Sequence, residues 1–384
     1  MDQTTHKKQV IRPELLQSIQ SRWERALPAL KERGHVIFIS DRYRFWDAPG
    51  FVQQSLARVL VENGIQVTWL DGMSWKRSYP AIPEKSPLLM VSQLKCLPGR
   101  RWRFIEEASI SWQAHQIKSL CRKERPIIWV QGSLDDRISE RLDSVDVFSV
   151  FDDPLLNTPG NPLCEKAKLI VSQNAFADNI FHERYPQKAH IFLPPVELSE
   201  RVFAKSKQEM LLPPGFPQQV MGYLGAFFPE GFDFEILRYL ITSLPAWGFL
   251  MVGRTNEEGE KILWELKKFP NFCHHPWIAR EQLPNVWSLL DVNLMLYRPH
   301  ATNSGAFPVK LLEALYFGIP SVATKVPKTS SLEGVIPLSS FPDQIKDLAL
   351  SEYKFPKDRS ATFENLFYEM HPKIHLAKIS ELIG

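Results

Sequence analysis

The chain has 384 residues, 44% of them hydrophobic and 23% charged, which is the composition of a folded protein long enough for two domains with separate cores. Lysine plus arginine number 46 against 43 aspartates and glutamates, an excess too small to make nucleic acid the main partner. Cys96, Cys121, Cys164 and Cys273 lie far apart without a C-x-x-C pair, so no zinc knuckle or disulfide framework is indicated, and with no apolar leader or membrane-spanning run a cytoplasmic protein is expected.

In chain order, Leu15, Leu16, Ile19, Trp23, Leu27 and Leu30 recur at helical spacing and predict a helix over 13–33, kinked or broken at Pro28 and ended by Gly34. Short apolar runs then alternate with amphipathic segments. Strands are predicted at 35–40, 65–70, 88–91, 126–130, 145–151, 169–172 and 189–193, with helices at 50–62, 102–122, 135–142 and 175–185. A stretch rich in proline, charge and small residues, 194–219, includes Pro213-Pro214-Gly215-Phe216-Pro217 and carries the interdomain linker. A second series follows, with strands at 220–224, 248–252, 272–275, 292–296, 321–324 and 335–338. Its helices fall at 232–243, 256–268, 280–290, 308–317 and 341–350, and 363–383 is amphipathic.

Near-continuous apolar strands separated by helices are the pattern of parallel sheets covered on both faces. The fold class is therefore α/β, with two Rossmann-like doubly wound domains whose ligands sit beyond the carboxyl ends of the strands. The boundaries are set at 1–200 for an N-terminal acceptor-binding domain, 201–219 for the linker and 220–360 for a C-terminal donor domain. The helix within 361–384 packs back on the first domain.

The stretch Tyr297-Arg298-Pro299-His300-Ala301-Thr302-Asn303-Ser304-Gly305-Ala306-Phe307-Pro308-Val309-Lys310-Leu311-Leu312-Glu313-Ala314-Leu315 runs from a strand through a small-residue loop into a helix. Free amides and the helix dipole at such a start favour an anion, and Ser304, Gly305 and Ala306 let a phosphate come close. Lys310 and Glu313 share one face of an otherwise apolar helix, and both charges need partners there. A nucleoside diphosphate supplies them, with phosphate oxygens for the lysine and ribose hydroxyls for the glutamate. An ordinary salt bridge three residues apart is the plain alternative.

The run from Phe307 to Thr324, with Pro308, Lys310, Glu313, Gly318 and Pro320 at fixed spacing, resembles the donor-site helix and following strand of the retaining GT-B glycosyltransferases. This is the large Glu-x7-Glu group, in its branch with a P-x-K-x-x-E helix. Gly222-Tyr223-Leu224-Gly225 resembles the turn opening that group's donor domain, and Gly248–Gly253 with Arg254 its second strand. Asn271-Phe272-Cys273-His274-His275-Pro276-Trp277, followed by Glu281-Gln282-Leu283-Pro284, resembles its next strand and base-binding turn. The resemblance is specific over 220–324 and architectural before it.

The resemblance implies a GT-B fold, two domains facing across a cleft. It implies transfer of a sugar from a UDP-sugar, or a GDP-sugar, to a glycan or lipid-linked acceptor with retention of configuration. Lys310 and Glu313 are the implied catalytic pair, Glu313 on the donor ribose and Lys310 with the Ser304, Gly305 and Ala306 amides on the diphosphate. Gly225 and Ala226 allow close approach, Arg254 joins the donor side, and the Trp277 turn holds the base. The fuller signature carries a first glutamate eight positions before the second, where this chain has Gly305, so that sugar contact passes to the loop backbone or to a group not identified. Fixed amides plus a lysine stabilise a leaving diphosphate without a metal, and no Asp-x-Asp motif occurs in a suitable loop, so no cofactor is expected.

On the acceptor side, Asp41, Arg42, Trp46 and Asp47 follow the first strand, and Gln131 follows the fourth, at a place where many relatives carry a histidine. His274 and His275 are adjacent, point to opposite sides of a strand, and read as packing rather than metal ligands. Lys95, Arg100, Arg101 and Arg103, interleaved with Leu97, Trp102 and Phe104, form a basic-aromatic patch fit for peripheral contact with an anionic membrane, against a solvated helix start. A catalytically silent nucleotide-sugar-binding subunit and a nicotinamide-dependent oxidoreductase are the rival functions. The second lacks a G-x-G-x-x-G after its first strand.

Overall fold

The computed structural model describes residues 11–40, 52–74, 86–99, 101–132, 134–150, 160–173, 175–198, 212–276, 278, 282–298, 307–324, 335–338 and 360–384. The chain divides into two compact units, Pro13–Val196 with Tyr368–Gly384, and Glu197–Phe367 with the N-terminal residues through Arg12.

The first unit is built on β1 (His35–Ser40), β2 (Gln66–Ser74), β3 (Leu89–Lys95), β4 (Ile127–Gln131), β5 (Val145–Val150), β6 (Ala167–Ser172) and β7 (Ala189–Ile191). They pair in the order β3-β2-β1-β4-β5-β6-β7, every pair parallel. Its helices are α1 (Pro13–Arg33), α2 (Val52–Glu62), α3 (Arg103–Glu124), α4 (Asp136–Arg141), α5 (Pro162–Lys166) and α6 (Ala175–Arg184). All six residues of β1 are buried because their alternate side chains enter different cores. Ile37 and Ile39 pack with Ile110, Ile117 and Phe148, while Val36 and Phe38 pack with Leu56, Trp69 and Trp129.

The second unit holds β8 (Gln219–Leu224), β9 (Trp247–Val252), β10 (Phe272–His275), β11 (Val292–Met295), β12 (Ser321–Thr324) and β13 (Val335–Leu338). This sheet is also parallel throughout, in the order β10-β9-β8-β11-β12-β13. Its helices are α7 (Phe234–Ser243), α8 (Glu257–Leu266), α9 (Leu283–Trp287) and α10 (Val309–Tyr316), followed by α11 (Ser360–Glu369). The last helix, α12 (Pro372–Ile383), lies in the first unit. There Leu376 and Ile379 enter the core that holds Trp23, and Arg22 of α1 pairs with Glu381 at 2.7 Å.

Several elements differ from the pattern expected of them. Helix α1 continues through Pro28, whose exposed position leaves the carbonyl freed one turn back, at exposed Glu24, to water. The segment 363–383 is split in two, because Pro372 cannot continue a helix and begins a new one capped by the His371 side chain on the Lys373 N–H. Strand β3 runs on to Lys95, whose backbone N–H and C=O are both held by the Gln116 amide of α3. The helix expected over 280–290 is confined to Leu283–Trp287, and the one at 341–350 lies outside the described residues. Among the described residues no helix is long and apolar enough to cross a membrane.

Candidate functional site

In the second unit the carboxyl ends of three neighbouring strands are stepped together by backbone hydrogen bonds. After β8, the Gly225 N–H donates to the Val252 carbonyl at 2.8 Å. After β9, the Gly253 N–H donates to the His275 carbonyl at 2.9 Å. Both glycines have positive φ, 135° and 147°, where an L side chain is strained, and at Gly253 the neighbouring backbone leaves no room for one. A Cβ on Gly253 would stand 1.9 Å from the Gly225 carbonyl oxygen, and one on Gly225 would stand 2.8 Å from the Lys310 Nζ.

The turn beyond is fixed by further contacts. The Phe227 N–H donates to the Arg254 carbonyl at 3.1 Å, and the Thr255 hydroxyl donates to the Phe227 carbonyl at 2.5 Å. The His274 Nε2 donates to the Gly253 carbonyl at 2.9 Å, while its ring meets Phe227 edge to face. Burial lowers the His274 pKa, which keeps the ring neutral in this structural role.

Helix α10 brings Lys310 to this turn. Pro308 precedes the helix with extended backbone, and Leu311 is the first residue whose N–H returns to it, at 3.0 Å from the Pro308 carbonyl. The Lys310 ammonium stands 3.7 Å from the centre of the Tyr223 ring and 5.5 Å from that of Tyr297. The residue as a whole is half-buried, yet its charged end is the enclosed part. That desolvation lowers its pKa to about 7, with the Glu313 charge pulling weakly the other way. Glu313 lies one turn on, 6% exposed, within a helix whose other buried residues are mostly apolar.

Tyr223 and Tyr297 are the residues that sequence reasoning passed over, since an aromatic at a strand end reads as core. Tyr223 has two duties: its ring carries the ammonium, and its hydroxyl donates to the Ala226 carbonyl at 2.9 Å, closing the Gly225 turn. Tyr297 is held past the end of β11, with its N–H donating to the Thr324 hydroxyl and its carbonyl accepting from it, at 2.7 and 2.6 Å.

Of the expected donor residues, Gly225, Ala226, Lys310 and Glu313 therefore gather at one end of one sheet, with Arg254 exposed on the adjoining turn. Trp277, Ser304, Gly305 and Ala306 lie outside the described residues, as do Asp41, Arg42, Trp46 and Asp47. Gln131 ends β4 of the first unit, in register with Ser40 and Ser149. It is 2% exposed, and among the described residues its amide Nε2 has no hydrogen-bond partner.

No family model matches the chain. Over 114 residues, 30% of this chain, it is 32% identical to the Bacillus subtilis (strain 168) protein named "Putative teichuronic acid biosynthesis glycosyltransferase TuaH". The match spans 28% of that relative's length. Among solved structures, alpha,alpha-trehalose 6-phosphate synthase of Burkholderia multivorans is similar at a TM-score of 0.62 and 12% identity, covering 91% of this chain and 98% of that one. The Anabaena protein Alr3699/HepE in complex with UDP is similar at a TM-score of 0.60 and 11% identity, covering 90% and 97%. With two parallel-sheet α/β units matched over nearly their whole length, the chain has the GT-B fold.

Proposed function

We propose that the chain is a hexosyl-type glycosyltransferase that moves a sugar from a nucleotide-sugar, UDP-linked by preference and GDP-linked as second choice, to a glycan or lipid-linked acceptor with retention of configuration. One observation carries the reading. A desolvated lysine, Lys310, is held over an aromatic ring at the glycine turn of a parallel sheet, one helical turn before the buried acid Glu313. An anion arriving there restores the lysine's charge, and a diphosphate leaving group gathers negative charge at the same place as its bond to the sugar breaks. In this reading Glu313 accepts hydrogen bonds from the ribose hydroxyls, the Ser304–Ala306 amides are assigned to the phosphates, and Trp277 is assigned to the base. The UDP held by the HepE structure and the glycosyltransferase name of the B. subtilis relative support this choice of ligand and chemistry. In this reading the lysine replaces a metal, and the enzyme works at the cytoplasmic side of a membrane, where its free cysteines stay reduced.

The buried Gln131 amide, whose Nε2 has no hydrogen-bond partner among the described residues, favours a role in holding an acceptor hydroxyl, yet an amide is no general base. That gives a second reading some weight: a silent relative that binds a nucleotide-sugar without transferring it. Melting curves with UDP, GDP and ADP, followed by a panel of UDP- and GDP-sugars with NMR detection of the released anomer, separate the two. Stabilisation by UDP with slow release of an α-configured sugar from an α-configured donor supports the enzyme. Stabilisation without turnover of any donor supports the silent protein, and no response to any nucleotide overturns both.

A further inference from the structure

The start of α3 in the first unit carries a face that the proposed donor chemistry does not use. Trp102 and Phe104 are 56% and 72% exposed, Leu97 is exposed beside them, and Trp112 continues the exposed side two turns along the helix. Burying aromatic rings of this size is a large gain that soluble proteins seldom leave untaken. Lys95, Arg101 and Arg103 are exposed among them, with the Arg101 guanidinium 5.9 Å from the Trp102 ring.

The neighbouring acids are turned to other work. Glu106 and Glu107, in the first turns of α3, are taken up by α4: Arg137 reaches them at 2.9 and 3.2 Å, and Arg141 reaches Glu107 at 3.0 Å. Among the described residues no carboxylate pairs with Lys95, Arg101 or Arg103. The face is thus basic and aromatic together, with its acids already neutralised. It is also rigid. Gln116 holds both backbone groups of Lys95, at 3.1 and 3.0 Å, and the Ser109 hydroxyl accepts the Leu97 N–H at 3.0 Å. These clamps close the end of the edge strand β3 to a pairing strand from another protein.

We infer that this face docks the first unit on an anionic lipid surface, with Trp102 and Phe104 entering the headgroup layer and Lys95, Arg101 and Arg103 meeting lipid phosphates. The Trp102 indole, apolar with one N–H, suits that depth, the Phe104 ring adds apolar area, and the positive charge around them complements the negative lipid surface. The inference deepens the proposed function, because a lipid-linked acceptor is met at such a surface. Its chemistry does not depend on the donor site.

The test is co-sedimentation of the full chain with vesicles of phosphatidylcholine containing phosphatidylglycerol, against vesicles of phosphatidylcholine alone. Wild type should bind the anionic vesicles, release them in high salt, and bind the neutral ones weakly. R101E/R103E should lower partitioning at least about twentyfold, since one basic residue near the surface is worth about fivefold, and W102A/F104A should lower it at least about tenfold through the apolar area withdrawn from the lipid. These side chains are exposed, so melting temperature and its response to UDP should stay unchanged in both variants. Binding equal to wild type in either variant overturns the inference, as does wild-type indifference to anionic vesicles. So does a wild-type dimer that these substitutions dissolve, which assigns the face to a second copy of the chain. Failure of the UDP response with vesicle binding intact sinks the donor site and leaves this face standing.

Discussion

The sharpest test of the site is the pH dependence of nucleotide binding through Lys310. Burial brings its pKa from 10.5 to about 7, so at neutral pH about half of the free protein carries an uncharged amine there. The difference corresponds to about 5 kcal/mol at most, an upper bound because part of the residue remains exposed to solvent. A diphosphate bound at the Gly225 turn restores the charged form, so binding takes up a proton. If the complex keeps the lysine charged, UDP affinity falls about tenfold per pH unit above 7, to a loss of about fiftyfold by pH 9. UDP itself is fully ionised over that range, since a terminal phosphate loses its second proton near pH 6, and cannot imitate the trend.

The stability of the free protein moves the opposite way. Between about 7 and 10.5 the unfolded chain binds more protons at this lysine than the folded one, so stability rises with pH through that window. Isothermal titration with UDP from pH 6.5 to 9, run beside thermal melts of the free protein, reads both slopes. Lys310→Arg keeps a charge at every pH and should flatten the affinity profile, whereas Lys310→Met should remove both slopes and bind UDP weakly throughout. A wild-type affinity independent of pH, or a slope unchanged in Lys310→Arg, refutes the placement of the phosphates on this amine.

Other expectations follow from the same geometry. Glu313→Ala should weaken UDP binding about ten- to a hundredfold and erase any preference for UDP over its 2′-deoxy analogue, measured by competition. Tyr223→Phe, which keeps the ring and loses the bond to Ala226, should raise the donor KM a few-fold with little change in the pH profile. Tyr223→Leu should also lose the cation–π contact and shift the alkaline limb of activity to lower pH, a move that mere loss of packing does not produce. Transfer activity should persist after dialysis against EDTA, and loss restored by added magnesium would assign the leaving-group charge to a metal instead. In the first unit, His375 is packed between Trp129 and Phe192, and burial lowers its pKa to about 3 despite the pull of the Leu193 carbonyl. The unfolded chain binds that proton between about 6.5 and 3, so the stability present above pH 6.5 is lost as pH falls, and His375→Leu should flatten that decline in acid melts.

How far the sequence foretells this structure depends on how many neighbours each feature needs. Strands such as β1 and β5 are legible because both faces are buried, which turns a sheet position into an unbroken apolar run. Lys310 and Glu313 are legible as the polar positions on an apolar helix. The short α5 is not, because five residues hold no period; it depends on Asn161 capping the Leu163 N–H at 2.8 Å. The extension of β3 to Lys95 depends on Gln116, which is distant in sequence. The roles of Tyr223 and Tyr297 depend on how three strand ends and a helix start converge, and no spacing rule along one segment contains that.

That convergence is also the reason to place the chemistry at this end of the second sheet. Among the described residues no acid hydrogen-bonds the Lys310 ammonium on its aromatic faces, and folded proteins keep such unpaired buried charges where function uses them. The Glu313 charge favours the ammonium but does not offset its burial. Positive φ favours glycine at 225 and 253, and at 253 a Cβ would stand 1.9 Å from the Gly225 carbonyl oxygen, so the two turns can lie this close only with glycine there. In the proposed function the Gly225 turn receives an anion with oxygens, and Glu313, one helical turn further on, receives hydroxyls. A nucleoside diphosphate carries both groups on one molecule, which an isolated phosphate or carboxylate does not.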